Sequence, residues 1–147
     1  MSIETILVTV KRDDGERLDR LTEEAIEVAT ATGARVVVAH AFETQSDVDS
    51  ALERLEGVDG TPTDVARRLE GVRRTATALE AAGVDYEIAG VVGDPGAEIA
   101  RLAERVGADR VYVGGRKRSP TGKAVFGSTA QQILLSAPCP VTFVREA

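Results

Sequence analysis

The sequence predicts one α/β domain over residues 1–147, built on a parallel β-sheet with helices on both of its faces. Three observations support this fold class. The 147 residues are 43% hydrophobic, which is enough for a single core. Short apolar runs alternate along the chain with segments of helical periodicity, as is typical of parallel sheets with helical crossovers. Two helix-to-strand junctions, TGARVVV and VGADRVYV, are nearly identical, so one structural unit recurs.

The first third of the chain predicts a strand, a helix and a second strand. Residues Ile3–Val10 are rich in β-branched side chains, which favours a strand. Residues Glu16–Thr32 predict an amphipathic helix that Gly33 ends with a left-handed cap. The near-continuous apolar run Arg35–Ala41 then predicts a strand that is covered on both faces. The residues of the helix that we expect to face inward are Leu18, Leu21, Ala25, Val28 and Thr32.

The middle of the chain repeats this unit twice. A helix begins at Thr61 and leads, past a glycine cap, into the strand Val84–Val91. A further helix, Pro95–Val106, leads past another glycine into the strand Arg110–Val113. The residues expected to face inward are Val65, Leu69, Val72, Ala76 and Leu79 in the first of these helices, and Ile99, Leu102, Ala103 and Val106 in the second.

The end of the chain predicts a last helix and a fifth strand. The helix covers Ser128–Ser136, and the segment APCP ends it before the strand Val141–Val144. The one long connection, Phe42–Gly60, is acidic and weakly apolar, and predicts a loop with an additional helical turn. The inward-facing residues of the last helix are expected to be Ala130, Ile133, Leu134 and Ala137.

Composition excludes several classes of function. The chain carries 18 basic and 24 acidic side chains, a net charge of −6, which disfavours binding to nucleic acid or anionic lipid. One cysteine and one histidine cannot supply a disulfide or an ordinary zinc site. No apolar stretch approaches the length of a membrane span, and the first residues do not resemble a signal peptide. We therefore expect a cytoplasmic protein that binds neither nucleic acid nor membrane.

Basic side chains gather where two predicted strands end. All three lysines of the chain, Lys11, Lys117 and Lys123, follow the first or the fourth strand, together with Arg12, Arg116 and Arg118. Because the carboxyl ends of parallel strands meet at one edge of the sheet, these charges predict an anion site there. The amides at the start of the last helix would complete a phosphate site, and they belong to Gly127, Ser128 and Thr129. The alternative is that these basic side chains serve only solubility.

The chain resembles the universal stress protein (UspA-like) family over essentially its whole length. The carboxyl half, GDPGAEIARLAERVGADRVYVGG…FGST…APCPVTFV, is similar to the family's carboxyl half, and VVVAHA with the strand and helix before it is similar to the amino half. The resemblance implies a Rossmann-like sheet of five parallel strands in the order 3-2-1-4-5. It also implies a stress-response role, a homodimer joined through the last strand and, in one branch of the family, ATP binding through the motif G-x2-G-x9-G-[S/T].

The motif is present here with one substitution. Its first glycine falls on Gly114, its third on Gly127 and its hydroxyl on Ser128, whereas Lys117 occupies the place of the second glycine. Lys11 stands where ATP-binding members commonly carry an aspartate that holds the ribose. A lysine can reach a phosphate as a point charge, so we expect ATP or another adenine nucleotide to bind in a modified geometry. By the resemblance, the adenine would lie against Val10, Ala41 and Val113.

Two alternatives stay open from the sequence. The first is a structural or signalling dimer without a small ligand. The second is a slow ATP hydrolase or phosphotransferase in which Asp13 or Asp14 holds Mg²⁺ near the phosphates. Enzymatic activity is the less favoured interpretation, because His40 as a general base would need an orienting partner and Cys139 has no cation beside it in sequence.

The fifth strand provides its own argument for a homodimer. Residues Val141–Val144 are apolar and contain no proline, so an edge strand here would leave open amides and carbonyls that favour pairing with a second copy.

Overall fold

The computed structural model describes residues 2–12, 14–55, 60–115 and 127–145. Within these residues the chain alternates between strands and helices. The elements are β1 (Thr5–Thr9), α1 (Arg17–Thr32), β2 (Arg35–Phe42), α2 (Gln45–Arg54), α3 (Pro62–Ala66), α4 (Glu70–Ala81), β3 (Tyr86–Val92), α5 (Pro95–Val106), β4 (Arg110–Gly115), α6 (Ser128–Ser136) and β5 (Val141–Arg145).

The five strands form one parallel sheet in the order β3-β2-β1-β4-β5, which confirms the predicted fold class and strand order. Strand β1 lies at the centre, paired with β2 on one side and with β4 on the other. The strand order reverses between β1 and β4, and ligands of such sheets bind at the carboxyl ends of the strands beside that reversal. The topology therefore predicts that a ligand binds near the residues that follow β1 and β4.

Helices cover both faces of the sheet. One core layer packs β1 and β2 against α1 and α4, and it includes Ile6, Val8, Val36, Leu21 and Leu79. The opposite layer packs the other face of the same strands against α5 and α6, and it includes Leu7, Val37, Ile99, Leu102 and Ile133. A smaller cluster beneath α2 and α3 contains Phe42, Val48, Val65 and Ala66. Burial on both faces explains why the first two strands are nearly continuous apolar runs.

The helix predicted to begin at Thr61 is in fact two helices. Helix α3 ends at Ala66, and α4 begins at Glu70 after Leu69, whose ψ of 137° is extended. The α3 helix packs so closely on β3 that the carbonyl of Pro62 lies over Gly90, and the Thr63 hydroxyl accepts a hydrogen bond of 3.1 Å from the Gly90 amide. The predicted apolar stripe thus serves two separate clusters, with Val65 in the small one and Val72 in the main core. Tertiary packing overrides the helical propensity of the linking residues.

Other local expectations are also corrected. The long connection contains a full helix, α2, whose start is fixed by a reciprocal capping box between Thr44 and Asp47. In α1 the side chain of Thr32 is exposed and its hydroxyl donates to the Val28 carbonyl, while Ala29 occupies a buried position. In α6 the side chain of Leu134 is 40% exposed rather than inward-facing. Across the described ranges, no helix combines the length and apolar character that a membrane crossing requires.

Candidate functional site

A cavity of about 450 Å³ opens at the carboxyl ends of β1 and β2. We call it the edge cavity. Its walls come from the ends of β1 and β2, from α2, and from the first turns of α5 and α6; the lining residues are Thr9, Val10, Lys11, Arg12, His40, Ala41, Phe42, Glu43, Asp47, Pro95, Ile99, Gly127, Ser128 and Thr129. The cavity lies beside the reversal of strand order, where the topology directs a ligand.

Six of the residues predicted to bind nucleotide line the edge cavity: Val10, Lys11, Ala41, Gly127, Ser128 and Thr129. Two others do not. Val113 is fully buried in the core layer beneath α5 and α6, and Gly114 is buried beside Asp14. Lys117, Lys123 and Asp13 lie outside the described residues.

Lys11 links the ends of the two central strands. Its ammonium donates a hydrogen bond of 2.6 Å to the carbonyl oxygen of Gly114, the residue on which the first glycine of the motif falls. Its backbone amide donates to Oδ2 of Asp14 at 2.8 Å. The positive charge therefore stands at the rim of the edge cavity and is also part of the contact between β1 and β4.

The side chain of Asp14 has a structural role. It is 2% exposed, and its Oδ1 accepts from Nε of Arg17 at 3.1 Å in an ion pair that is buried on both sides. Gly114 leaves room for this pair, since an added Cβ would lie 3.1 Å from Oδ1 of Asp14. Both carboxylate oxygens of Asp14 accept hydrogen bonds within the chain, and its role as a magnesium ligand stays a prediction.

The first residues of α6 line the edge cavity. Gly127 precedes the first helical residue in an extended conformation, and no side chain in the described part of the chain caps this helix start. The first turn of any helix has amides without a partner inside the helix, and the helix dipole makes that end favourable for anions. Arg12, exposed on the rim, adds a positive charge to the same cavity. Together these groups suit a phosphate or a carboxylate.

His40 supports the backbone and is poorly suited to proton transfer. Its side chain is 6% exposed, its Nδ1 donates to the Val10 carbonyl at 2.8 Å, and its ring meets Phe42 edge-on with 4.6 Å between centroids. Burial is the main cause that lowers the pKa of His40, and the charge of Arg12 acts in the same direction against the opposing effects of the Val10 bond and Asp14. Burial likewise raises the pKa of the Cys139 thiol, which disfavours a reactive thiolate.

Sequence reasoning missed the acidic part of the edge cavity. Glu43 follows β2 and Asp47 lies in the first turn of α2, and both residues line the cavity. Pro95 and Ile99 of α5 add an apolar wall. A signal for these residues was present, because segments that follow β2 and β3 must reach the same edge of a parallel sheet as those that follow β1 and β4. The edge cavity thus has a cationic part, an apolar part and an acidic part.

Comparisons with known proteins agree with this architecture. The model of the universal stress protein family matches residues 2–145. A curated universal stress protein of Thermus aquaticus, from the QAH/OAS sulfhydrylase 3′ region, is 33% identical over 140 residues, covering 90% of this chain and 93% of its own. A universal stress protein of Mycolicibacterium smegmatis is 32% identical over 114 residues, covering 76% and 88%.

Solved structures give the same result. A universal stress protein of Archaeoglobus fulgidus superimposes with a TM-score of 0.76 at 27% identity, covering 96% of this chain and 98% of its own. A structure of the Archaeoglobus fulgidus protein in complex with dAMP has a TM-score of 0.69 at 23% identity, covering 98% and 99%. A universal stress protein in complex with cAMP also gives 0.69, at 22% identity, and covers the whole of both chains.

Proposed function

The chain belongs to the universal stress protein family, and from this premise we propose that it is a stress-response module that binds ATP or another adenine nucleotide in the edge cavity. Solved proteins of the same fold are complexes with cAMP, dAMP and AMP, which supports an adenine nucleotide as the ligand class. The observation that carries the proposal is the edge cavity itself, because it joins an uncapped helix start and two cationic side chains to an apolar floor.

The phosphate is proposed to bind at the cationic part of the edge cavity. The amides of Gly127, Ser128 and Thr129 would donate to its oxygens, and Lys11 and Arg12 would add positive charge from the end of β1. On a protein whose net charge is −6, such a concentration of donors gives an anion a favourable place to bind. Lys117 and Lys123, which lie outside the described residues, are proposed as further phosphate ligands in the modified loop.

The base is proposed to bind in the apolar part of the edge cavity. Ala41 near the end of β2 and the α5 residues Pro95 and Ile99 all line the edge cavity. A flat heterocycle that bound beside them would replace water at an apolar surface. The wall residues Val10 and Ala41 keep the role that the family resemblance gives them. Val113 is covered by the core layer, so we propose that it supports the floor of the cavity from behind.

A binding experiment tests the nucleotide proposal. Calorimetric titration of the purified protein with AMP, ATP and adenosine should give measurable affinity for the two nucleotides and a weaker one for adenosine, which has no phosphate. Arg12→Gln should weaken AMP binding by about three- to tenfold, the usual effect of one exposed charge at a phosphate, and should leave adenosine binding unchanged.

The matched control is Arg105→Gln, an exposed arginine in the last turn of α5 that lies outside the edge cavity. It should bind AMP like the wild type. If neither AMP nor ATP binds at millimolar concentration, and mass spectrometry finds no adenine nucleotide in the purified protein, the proposal is wrong.

We further propose a homodimer formed through β5. In the strand order β5 has one neighbour, β4, so its other edge is open in the described chain. The edge residues Val141–Val144 are half-buried or buried, and Leu135 of the adjacent helix α6 is 79% exposed. An open apolar edge favours pairing with an identical edge across a two-fold axis.

A further inference from the structure

We propose, on the premise that the edge cavity binds a nucleotide, that the Thr9 hydroxyl recognises the base and so contributes to specificity. Thr9 is the last residue of β1, is 2% exposed and lines the edge cavity. Its Oγ1 is buried and has no hydrogen-bond partner among the residues that the structure describes. A ligand that entered the edge cavity would be the natural partner for this oxygen.

An unpaired hydroxyl at this position needs an explanation. Buried polar side chains in folded proteins are nearly always hydrogen-bonded, because an unpaired one loses its hydration without compensation. The buried hydroxyls of Thr22 and Thr75 follow the rule, since they lie 3.4 Å apart and Thr75 also donates to the Gly71 carbonyl at 2.9 Å. Valine has nearly the shape of threonine and would fill the same place in a strand without an unpaired group. The polar group therefore stands where packing alone would favour an apolar one.

The position of Thr9 identifies the part of the ligand that it would meet. Side chains alternate along β1, so Thr9 faces the α5 side of the sheet with Leu7, the side on which Ile99 closes the cavity. Thr9 and Ile99 form an almost fully buried floor, away from the charged rim of Arg12. A neutral heterocycle suits such a floor better than a phosphate does, because a charge loses more free energy on leaving water.

The chemistry of the hydroxyl fits a base. A threonine hydroxyl can donate one hydrogen bond and also accept, so it can pair with a ring nitrogen or with an exocyclic amine. The oxygen is enclosed in the unliganded protein, so we propose that ligand entry is accompanied by a rotation of Thr9 about χ1 between staggered rotamers that brings the oxygen to the ligand. The hydrogen bond to the ligand would then replace an unsatisfied state with a satisfied one.

Substitution of Thr9 by valine tests this inference. Thr9→Val should weaken AMP binding by about five- to thirtyfold in calorimetric titration, the usual effect of one lost hydrogen bond, and should raise the melting temperature of the unliganded protein by removing an unpaired buried group. Binding of ribose 5-phosphate, which has the sugar and phosphate of AMP but no base, should not change. Thr9→Ser keeps the hydroxyl and should bind AMP like the wild type. If the valine variant does not fold, Thr9→Ala also removes the hydroxyl and should weaken AMP binding relative to Thr9→Ser.

The matched control is Thr75→Val, which removes a buried hydroxyl outside the edge cavity. It should lower the melting temperature, because the buried hydroxyl of Thr22 loses its partner, and should not affect AMP affinity. If Thr9→Val and the wild type bind AMP equally, or if the variant loses AMP and ribose 5-phosphate to the same degree, the inference is wrong while nucleotide binding itself stands. If the wild type binds no nucleotide at all, both the inference and the proposed function are wrong.

Discussion

The polar residues around the edge cavity have two different roles: some bring charge to its rim, and others hold the backbone that forms the rim. Lys11 and Arg12 bring positive charge to the rim, whereas Asp14 and His40, which are equally polar, are buried and hold the backbone that forms the rim. His40 donates to the carbonyl of Val10, and Asp14 accepts from the amide of Lys11. The backbone at the end of β1 is therefore held by hydrogen bonds to the imidazole of His40 and the carboxylate of Asp14.

The imidazole of His40 predicts a dependence of stability on pH. Burial lowers the pKa of His40 in the folded protein, so the unfolded chain binds the proton more readily. The stability that this group contributes is present above its unfolded pKa of about 6.5 and is lost as the pH falls below it, by at most about 1.4 kcal/mol per pH unit. Urea unfolding between pH 7.5 and 5.5, an interval chosen about the pKa of free histidine, measures the slope.

The change of the free energy of unfolding with pH at about 6.5 can be assigned to His40, because it is the one histidine of the chain. His40→Asn keeps a donor for the Val10 carbonyl and does not titrate, so its free energy of unfolding should vary less over the same pH interval. A wild-type stability that stays constant or rises on acidification would contradict the prediction.

At the scale of elements, the contact of α3 with β3 determines where the helices break. Helix α3 can approach the sheet only because residue 90 has no side chain: a Cβ there would lie 2.3 Å from the carbonyl oxygen of Pro62, far inside van der Waals contact. The Thr63 hydroxyl then binds the Gly90 amide, and the chain must turn at Leu69 before α4 can pack on the main core. One glycine in β3 thus sets the course of the chain between α3 and α4.

Gly90→Ala should therefore destabilise the protein. We expect a loss of at least about 2 kcal/mol in the free energy of unfolding, within the range for overpacked sites, since backbone rather than a flexible side chain must move. Denaturant unfolding measures the loss. The control is Gly60→Ala, whose Cβ would meet, among the residues that the structure describes, Cδ1 of Leu52 at an ordinary 3.9 Å, and should change stability little. Equal stabilities of the two variants would show that α3 does not need this close approach.

Elements also show how far the sequence could be interpreted. Periodicity and glycine caps predicted the strands and the helices α1, α5 and α6, because each of these depends on local signals. The break between α3 and α4 could not be predicted, since its cause is a contact with Gly90, more than twenty residues away. The place of Lys11 and Arg12 at the edge cavity could be predicted, because these residues follow β1 and the topology brings the carboxyl ends of the strands to one edge. The buried pair of Asp14 with Arg17 did not, because spacing cannot distinguish a solvated carboxylate from a buried one.

At the scale of the whole molecule, the proposed dimer depends on the open edge of β5 in the described chain. The Val111 amide donates to the Pro140 carbonyl, and Val111 is paired with Val141 in the parallel register. In such a ladder the Val141 amide points away from β4, toward the open edge. A substitution at residue 141 can therefore block pairing with a second copy without removing a hydrogen bond of the sheet.

Val141→Pro should dissociate the proposed dimer, since proline has no amide to donate and is tolerated at an edge strand. Val141→Thr keeps the amide and the branched side chain and should stay dimeric. Sedimentation equilibrium at micromolar concentrations measures the difference, with circular dichroism as the check on folding. A wild-type protein that is monomeric throughout this range, or a proline variant that is as dimeric as the threonine variant, would exclude the β5 interface.

Strand β5, which has the open edge, lies close to a residue of the edge cavity. The ring of Phe143 in β5 packs so closely over Gly115 that an added Cβ there would lie 2.4 Å from it, and the adjoining residue, Gly114, holds the ammonium of Lys11. If a nucleotide draws Lys11 away from Gly114, the change takes place one peptide unit from the contact of Gly115 with Phe143 in β5. In the proposed dimer, a nucleotide that shifted this contact would alter the dimerisation constant by the same factor by which dimerisation alters nucleotide affinity.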